Sequence, residues 1–202
     1  MVRCIRWFLC LSGYNQIETR QERPSMALTS SKKRNILFIL LCFLAYTSSY
    51  LLKLSYNANI VCLEAEFGIT HAEAGIVTTF FFFAYGSVQI LHGIFVKKYP
   101  LRFVVPLAIL LGCVLNLLTA LSPTFAPIKY YWLFDGAILS ILWPSCIRAL
   151  SENIEEGYRN KAIMVMGLCT AVGTILVYLL SALFSAINHY KIIFYVGIGI
   201  GI

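Results

Sequence analysis

Charged residues are scarce in this sequence. Asp, Glu, Lys and Arg make up 12% of the 202 residues, whereas apolar residues make up 59%. Water-soluble domains ordinarily carry about 25% charged residues. The mean hydropathy is +0.79. This composition excludes an ordinary water-soluble domain and predicts a protein that crosses a lipid bilayer several times.

Motifs of enzymes and of metal sites are also missing. The sequence contains no GxSxG, HExxH or phosphate-loop pattern, and its 7 cysteines include no CxxC pair. The three histidines lie in or near three different connections between apolar segments. We therefore expect a protein that is not an enzyme and that binds no cofactor and no metal ion.

Long apolar segments are what the sequence has in abundance. A helix needs about 20 mostly apolar residues to cross the hydrocarbon core. Because backbone groups in lipid must be hydrogen-bonded within the segment, the expected fold is an all-α bundle of six transmembrane helices. The last window ends after 13 residues, so we expect it to be truncated. The windows are 35–62, 74–96, 102–121, 129–150, 161–187 and 190–202.

Lysine and arginine cluster in alternate connections. Such residues stay on the cytoplasmic side in short loops, which predicts a cytoplasmic amino terminus in a multi-pass protein of the cell membrane. The topology accounts for the net charge of +7, so we expect a lipid bilayer and no nucleic acid as partner. The clustered residues are Lys32, Lys33, Arg34, Lys97, Lys98, Arg102, Arg148, Arg159 and Lys161.

The residues ahead of the first span form a separate region. We expect residues 1–34 to be a cytoplasmic tail and residues 35–202 to form one membrane domain. The segment "MVRCIRWFLCLSGYN" faintly resembles a signal peptide, but no small-residue cleavage site follows it. We prefer Met26 as the natural start, with residues 1–25 as an upstream extension or an interfacial tail.

Two ionisable residues lie inside the predicted spans. Lys53, in "YLLKLSYNANI", is about 13 Å below the outer end of the first span, and Asp135 is about 9 Å below the outer end of the fourth. Ionisable groups at such depths are costly and indicate a functional site. Lys53 and Asp135 either form an ion pair or line one aqueous pocket. A third reading places Asp135 in the headgroup region.

Small residues recur along the second and fifth predicted spans. Gly86 and Gly93 are seven residues apart, and Gly167 begins a stripe of small residues in the fifth span. Such residues let helix backbones approach one another in membranes. We expect close helix contacts at these glycines.

Two connections carry recognisable loop motifs. "GIFVKKYPLR" contains Gly93, Lys98 and Arg102, and "SILWPSCIRALSENIEEGYRNKA" contains Glu156 and Arg159. With the spans that flank them, these motifs resemble the amino-terminal half of a major facilitator superfamily transporter. Departures from the family pattern are Lys97 at an aspartate position and Pro100 and Asn160 at glycine positions.

The first span is similar to one branch of that superfamily, the organophosphate:phosphate antiporters. In this branch the span commonly reads tyrosine, two residues, arginine, any residue, asparagine, and here Tyr50, Lys53 and Ser55 occupy those positions. The resemblance implies that Lys53 lines a central cavity and attracts an anion. Asp135 is a further candidate for the solute site, and an ion pair between Lys53 and Asp135 is the alternative. Other candidate lining residues are Tyr50, Tyr56, Asn57, Tyr85, Gln89 and Trp143.

Three functions follow as hypotheses. The first is the amino-terminal half, or a fragment, of a secondary transporter that moves a small, organic or phosphate anion by alternating access. That hypothesis requires a missing carboxy-terminal half of six helices. The second is a proton-coupled transporter of a neutral or cationic solute that uses Asp135. The third is a truncated remnant or membrane interaction protein that does not transport.

Overall fold

The computed structural model describes residues 27–201, with side chains from residue 35 onward. Across residues 27–201 the chain forms helices and no strand. A short 3-10 helix, Val96–Lys98, follows the helix that ends at Phe95. The α-helices are α1 (Ala27–Ser48), α2 (Tyr50–Ala58), α3 (Ile60–Phe67), α4 (His71–Phe95), α5 (Leu101–Ala120), α6 (Ile128–Leu139), α7 (Leu142–Asn153), α8 (Glu156–Ala186) and α9 (Ile192–Gly201).

Five helical segments are long and apolar enough to cross a membrane, and they confirm the first five windows. We call them spans 1 to 5. The predicted all-α bundle is therefore confirmed. The last window forms α9, whose 10 residues extend about 15 Å, less than the hydrocarbon core requires. The spans are Asn35–Ala58, His71–Lys98, Leu101–Ala120, Ile128–Asn153 and Glu156–Ala186.

The helix that contains span 1 starts before the span, which itself begins at Asn35. Helix α1 begins at Ala27, within the expected tail of residues 1–34, and continues into span 1. Residues 1–26, with the proposed start at Met26, lie outside the described part of the chain.

Span 1 is interrupted at Ser49, directly before the segment that carries Lys53. The hydroxyl of Ser49 donates to the Tyr46 carbonyl oxygen at 2.7 Å, and that of Ser48 donates to the Ala45 carbonyl oxygen at 2.8 Å. Serine side chains that bond to the preceding turn compete with the helical hydrogen bonds and often bend a helix. The local sequence therefore places an irregular turn next to Lys53.

Span 4 is interrupted as well, between Leu139 and Leu142. Pro144 has no backbone N–H and cannot donate to the carbonyl of Ser140, four residues earlier. The Ser140 hydroxyl in turn donates to the Ala137 carbonyl oxygen at 2.6 Å. Each interrupted span thus carries one of the two ionisable residues: span 1 carries Lys53 and span 4 carries Asp135.

The turn before span 2 is built from two local signals. Gly68 ends α3 with φ at 63°, a left-handed conformation that costs glycine little. Thr70 then caps α4, because its hydroxyl accepts from the Glu73 backbone N–H at 3.3 Å while the Glu73 carboxylate accepts from the Thr70 N–H at 2.8 Å. This capping box starts the helix at His71, three residues before the predicted window.

The apolar interior forms two clusters along the bundle. One cluster includes Leu52 and Leu150, and the other includes Leu51 and Trp132. Tyr50 packs against both. Lys53 therefore lies where the two clusters meet, in the middle of the bundle.

Within the described chain, Gly86, Gly93 and Gly167 do not make the close contacts that were expected of them. A Cβ atom built at any of these glycines would meet nothing within 4 Å in the described chain. The crowded glycines are Gly136 in span 4, where a Cβ would collide with the Phe81 backbone, and others in spans 3 and 5 and in α9. Close approach requires a neighbour on the same face, which the spacing of small residues alone does not specify. Glycines with a neighbour inside 3.4 Å are Gly112, Gly136, Gly173, Gly197 and Gly201.

Candidate functional site

Lys53 is buried in the centre of the bundle, with 4% of its surface exposed. It lies three residues after Tyr50 and seven after Tyr46, so the helical period places all three side chains on one face of span 1. An ammonium group removed from water needs either an opposite charge or several hydrogen-bond acceptors. Its surroundings therefore define the candidate site.

Three tyrosine rings surround the ammonium group. The Nζ atom lies 4.3 Å from the ring centre of Tyr46, 5.1 Å from that of Tyr50 and 5.4 Å from that of Tyr85. It also donates a hydrogen bond to the Tyr46 hydroxyl oxygen at 3.2 Å. Faces of aromatic rings attract cations, more strongly where water is excluded. We call Tyr46, Tyr50 and Tyr85 the tyrosine cage.

Neighbouring spans hold the cage in place. The Tyr50 hydroxyl donates to Thr170 Oγ1 at 3.0 Å, and its ring lies against Gly173, where a Cβ would come within 2.6 Å of it. The Tyr46 ring packs on Trp143 with 5.1 Å between ring centres. Spans 1, 2, 4 and 5 thus all contribute to the surroundings of Lys53.

Asp135 is fully buried, with 0% of its surface exposed. Neither carboxylate oxygen has a hydrogen-bond partner, and no lysine or arginine nitrogen of the described side chains lies within 4.0 Å. Lys53 does not form a direct ion pair with Asp135, although it is an electrostatic neighbour. The bundle encloses Asp135, and the reading that places it at headgroup depth stays a prediction.

A hydrogen-bonded network runs beside Asp135. Asn116 Oδ1 accepts from the Ser55 hydroxyl at 2.8 Å, and its Nδ2 donates to the carbonyl oxygens of Leu52 at 3.2 Å and Gly112 at 3.1 Å. Asn116 thereby joins spans 1 and 3. Its amide donors bond to two backbone carbonyls, and its side chain also acts on the neighbouring Asp135 carboxylate.

The same network continues towards span 5. Asn59 Nδ2 donates to the Ser55 carbonyl oxygen at 2.7 Å, and the Ser181 hydroxyl lies 2.7 Å from Asn59 Oδ1. These residues fasten the bundle around the site.

Some predicted lining residues lie away from the cage. The Tyr56 hydroxyl donates to the Ala74 carbonyl oxygen at 3.1 Å, and Asn57 Oδ1 accepts from the Thr78 hydroxyl at 2.6 Å. Both contacts tie span 1 to span 2. Gln89 is half-buried and lies one helical turn after Tyr85. Of the candidates, the structure brings Tyr50 and Tyr85 to Lys53, and Trp143 to the cage.

Tyr46 was missed by the sequence interpretation, although a signal for it exists. It continues the stripe of Tyr50 and Lys53 by one further helical turn, and it is 4% exposed. An aromatic residue in an apolar span is ordinarily a packing residue, so the spacing alone did not distinguish it.

The loop-motif residues lie at one end of the bundle, which we call the basic end. Gly93, Lys98 and Arg102 are exposed. Lys98 Nζ lies 5.3 Å from the Phe95 ring centre. Arg159 approaches Glu156 at 3.9 Å. These contacts are compatible with residues that face solvent or lipid headgroups.

Arg148, in span 4, makes the most extensive contacts at the basic end. Its Nη1 donates to the carbonyl oxygens of Val96 and Tyr99, the latter at 2.9 Å, and its Nε pairs with Glu152 at 2.7 Å. A guanidinium at the end of span 2 opposes the partial negative charge of exposed helix carbonyls. Arg148 therefore clamps span 4 to the connection between spans 2 and 3.

Comparison with known proteins gives a consistent result. The family profile of the Major Facilitator Superfamily matches residues 38–202. A "Probable hexose phosphate transport protein" of Chlamydia trachomatis serovar D is 23% identical over 118 residues, which are 58% of this chain and 26% of that protein. A protein of the same name from Chlamydia pneumoniae is 22% identical over 110 residues, 54% of this chain and 24% of that protein.

The chain spans about a quarter of the length of these relatives. The matches confirm the resemblance to the superfamily and agree with the expectation of a protein that is not an enzyme. With five apolar spans, the protein is an integral, multi-pass membrane protein. The family match covers more than half of the residues, and the chain belongs to the Major Facilitator Superfamily.

Proposed function

We propose that this chain forms the amino-terminal half of a secondary transporter that moves a phosphorylated organic anion by alternating access. The observation that carries the proposal is the environment of Lys53. Lys53 is only 4% exposed, yet its ammonium has no carboxylate within 4.0 Å among the described residues. A solute anion would supply the missing counter-charge.

The chemistry of the site favours an oxygen-rich anion. An ammonium has three N–H donors, and among the described side chains Lys53 uses one of them, towards Tyr46. Phosphate oxygens can accept the remaining two. The aromatic rings of the cage and Trp143 offer apolar faces to the organic part of the solute.

The architecture supports alternating access. In this superfamily, two halves of six spans enclose a cavity near the midplane of the membrane. Span 1 carries Lys53 and span 4 carries Asp135, and both spans are interrupted close to the site, as is typical of transporter binding sites. A second half would close the cavity over Lys53. The names of the relatives suggest a hexose phosphate as the solute.

Exchange in proteoliposomes tests the proposal. The full reading frame that contains this chain is reconstituted, and exchange of a labelled hexose phosphate for internal inorganic phosphate is measured. We expect exchange in the unchanged protein, retention with Lys53→Arg and loss with Lys53→Met. The matched control is Lys129→Met, since Lys129 also lies over a tyrosine ring, 5.1 Å from the centre of Tyr130, but at the end of a span.

The outcomes distinguish a role of the Lys53 charge in solute binding from a purely structural role of the side chain. Loss of exchange in Lys53→Met with normal exchange in Lys129→Met supports an anion site at Lys53. Equal exchange in Lys53→Met and the unchanged protein, or no exchange in any folded form, would overturn the assignment.

A further inference from the structure

A basic patch lies at the connection between spans 2 and 3 and takes no part in the proposed solute site. It consists of Lys97, Lys98 and Arg102, which are all exposed. The carboxylates of the described side chains do not approach these three cations within 4.0 Å. In the sequence, no acidic residue occurs between Glu73 and Asp135. Neither the neighbouring sequence nor a contact in the described chain therefore neutralises the basic patch.

Exposed aromatic rings lie beside two of the three cations. Lys98 Nζ is 5.3 Å from the ring centre of Phe95, and the guanidinium carbon of Arg102 is 4.8 Å from that of Phe103. Phe95 is 41% exposed and Phe103 is 61% exposed. In a protein that crosses a bilayer, lipid tails can cover such rings while the cations beside them reach the headgroups. Each of these two pairs therefore offers a charged group and an apolar surface side by side.

The length of span 2 places the basic patch at the level of the lipid headgroups. His71–Lys98 has 28 residues and extends about 42 Å at 1.5 Å per residue. A bilayer with its headgroup layers is about 40–45 Å thick, whereas its hydrocarbon core is about 30 Å thick. Next to the patch, both helices expose large apolar side chains, among them Ile90 and Ile94 on span 2 and Leu107 on span 3. The cations thus border an exposed apolar surface.

We propose that the basic patch binds the headgroup of an anionic phospholipid, whose acyl chains lie against the exposed apolar surface of spans 2 and 3. Lysine and arginine donate charge-assisted hydrogen bonds to phosphate oxygens, and cations near an anionic lipid surface are attracted to it. A zwitterionic lipid carries its own ammonium group, so its net charge gives the patch no such attraction. A soluble anion would meet the same cations but would leave the rings of Phe95 and Phe103 uncovered. This lipid site does not depend on the solute site at Lys53.

Native mass spectrometry tests the proposal without requiring transport. The full reading frame that contains this chain is purified in a nonionic detergent, and the dissociation constants of added phosphatidylglycerol and phosphatidylcholine are measured. We expect phosphatidylglycerol to bind more tightly, and we expect Lys97→Gln to weaken its binding about fivefold, the attraction typical of one cation at an anionic surface. Lys161→Gln is the matched control, because Lys161 is an exposed lysine near the same end of the bundle but on span 5. It should leave both constants unchanged.

A second pair of variants tests the aromatic contact. Phe103→Leu keeps an apolar side chain but removes the ring beside Arg102, and we expect it to weaken phosphatidylglycerol binding about twofold to fivefold. Tyr130→Leu is the control, because Tyr130 also lies beside a cation, 5.1 Å from Lys129 Nζ, but at the start of span 4.

Three results would overturn the lipid site. The first is equal binding of phosphatidylglycerol and phosphatidylcholine by the unchanged protein. The second is an equal effect of Lys97→Gln and Lys161→Gln, which would indicate general attraction by surface charge. The third is displacement of phosphatidylglycerol by an equal concentration of inorganic phosphate, which would show that the patch binds a free anion. A normal phosphatidylglycerol affinity in Phe103→Leu would show that the ring takes no part.

Discussion

The ammonium of Lys53 interacts with the side chain of Tyr46 in two ways, through a hydrogen bond and through a cation–π contact. The Nζ atom lies 3.2 Å from the Tyr46 hydroxyl oxygen and 4.3 Å from the centre of its ring. The hydroxyl accepts a hydrogen bond while the ring face attracts the same positive charge. Tyr46 thus holds the lysine in place without neutralising it, which leaves the charge available to a solute.

A double-mutant cycle measures this relationship. Tyr46→Phe keeps the ring and removes the hydrogen bond to a charged group, which we expect to lower the free energy of unfolding by about 1.5–3 kcal/mol. The same change in a Lys53→Met background should cost little, since no ammonium then loses its acceptor. Unfolding in nanodiscs gives both values. Equal costs in the two backgrounds would show that Tyr46 acts by packing alone.

Replacement of Lys53 by an apolar residue should stabilise the protein. Lys53→Met removes a buried charge that has no carboxylate within 4.0 Å, and we expect the free energy of unfolding to rise by about 1–3 kcal/mol. Thermal unfolding of the purified chain provides the measurement. A structural lysine would give the opposite sign, so a loss of stability would count against a binding role.

The sequence predicted the spans well because hydropathy over 20 residues averages many side chains. It also singled out Lys53 and Asp135, since a charge in an apolar run needs no structure to be noticed. The sequence could not show which side chains contact one another across the bundle. Tyr46 and Tyr56 are both apolar-looking tyrosines on span 1, yet one contacts Lys53 and the other bonds to the Ala74 carbonyl. Such choices depend on which helix faces which, a long-range property.

Glycine packing illustrates the same limit and gives a prediction. Gly136→Ala would push a methyl group into the Phe81 backbone, whereas Gly86→Ala would enter open space. We expect Gly136→Ala to lower the free energy of unfolding by about 1–3 kcal/mol because backbone cannot move aside easily. Gly86→Ala should change it by less than about 0.5 kcal/mol. Similar values for the two variants would contradict the packing of spans 2 and 4.

The clamp at the basic end predicts that arginine and lysine are not equivalent there. Arg148 donates hydrogen bonds to two carbonyl groups and to Glu152 at once. The planar guanidinium group, with its forked N–H donors, is suited to this arrangement. We expect Arg148→Lys to lower the free energy of unfolding by about 1–3 kcal/mol. Lys98→Gln, at an exposed position in the same region, is the control. A neutral result for Arg148→Lys would show that the clamp contributes no stability.

Gly173 connects helix packing to the candidate site, because its missing side chain leaves room for the Tyr50 ring. An alanine Cβ would lie 2.6 Å from Tyr50 Cγ, so the ring would have to move and its 3.0 Å bond to Thr170 would break. We expect Gly173→Ala to weaken phosphate binding several-fold and to destabilise the fold by about 1–3 kcal/mol. Gly167→Ala, on the same helix but with open space around it, should change neither value.

A second substitution separates the two effects of Gly173→Ala. Tyr50→Ala removes the ring that the new methyl group displaces, so the double variant should recover stability relative to the sum of the single changes. It should not recover phosphate affinity, because the tyrosine cage then lacks one of its rings. Recovery of affinity together with stability would mean that Tyr50 fills space beside Lys53 and does not contact the solute.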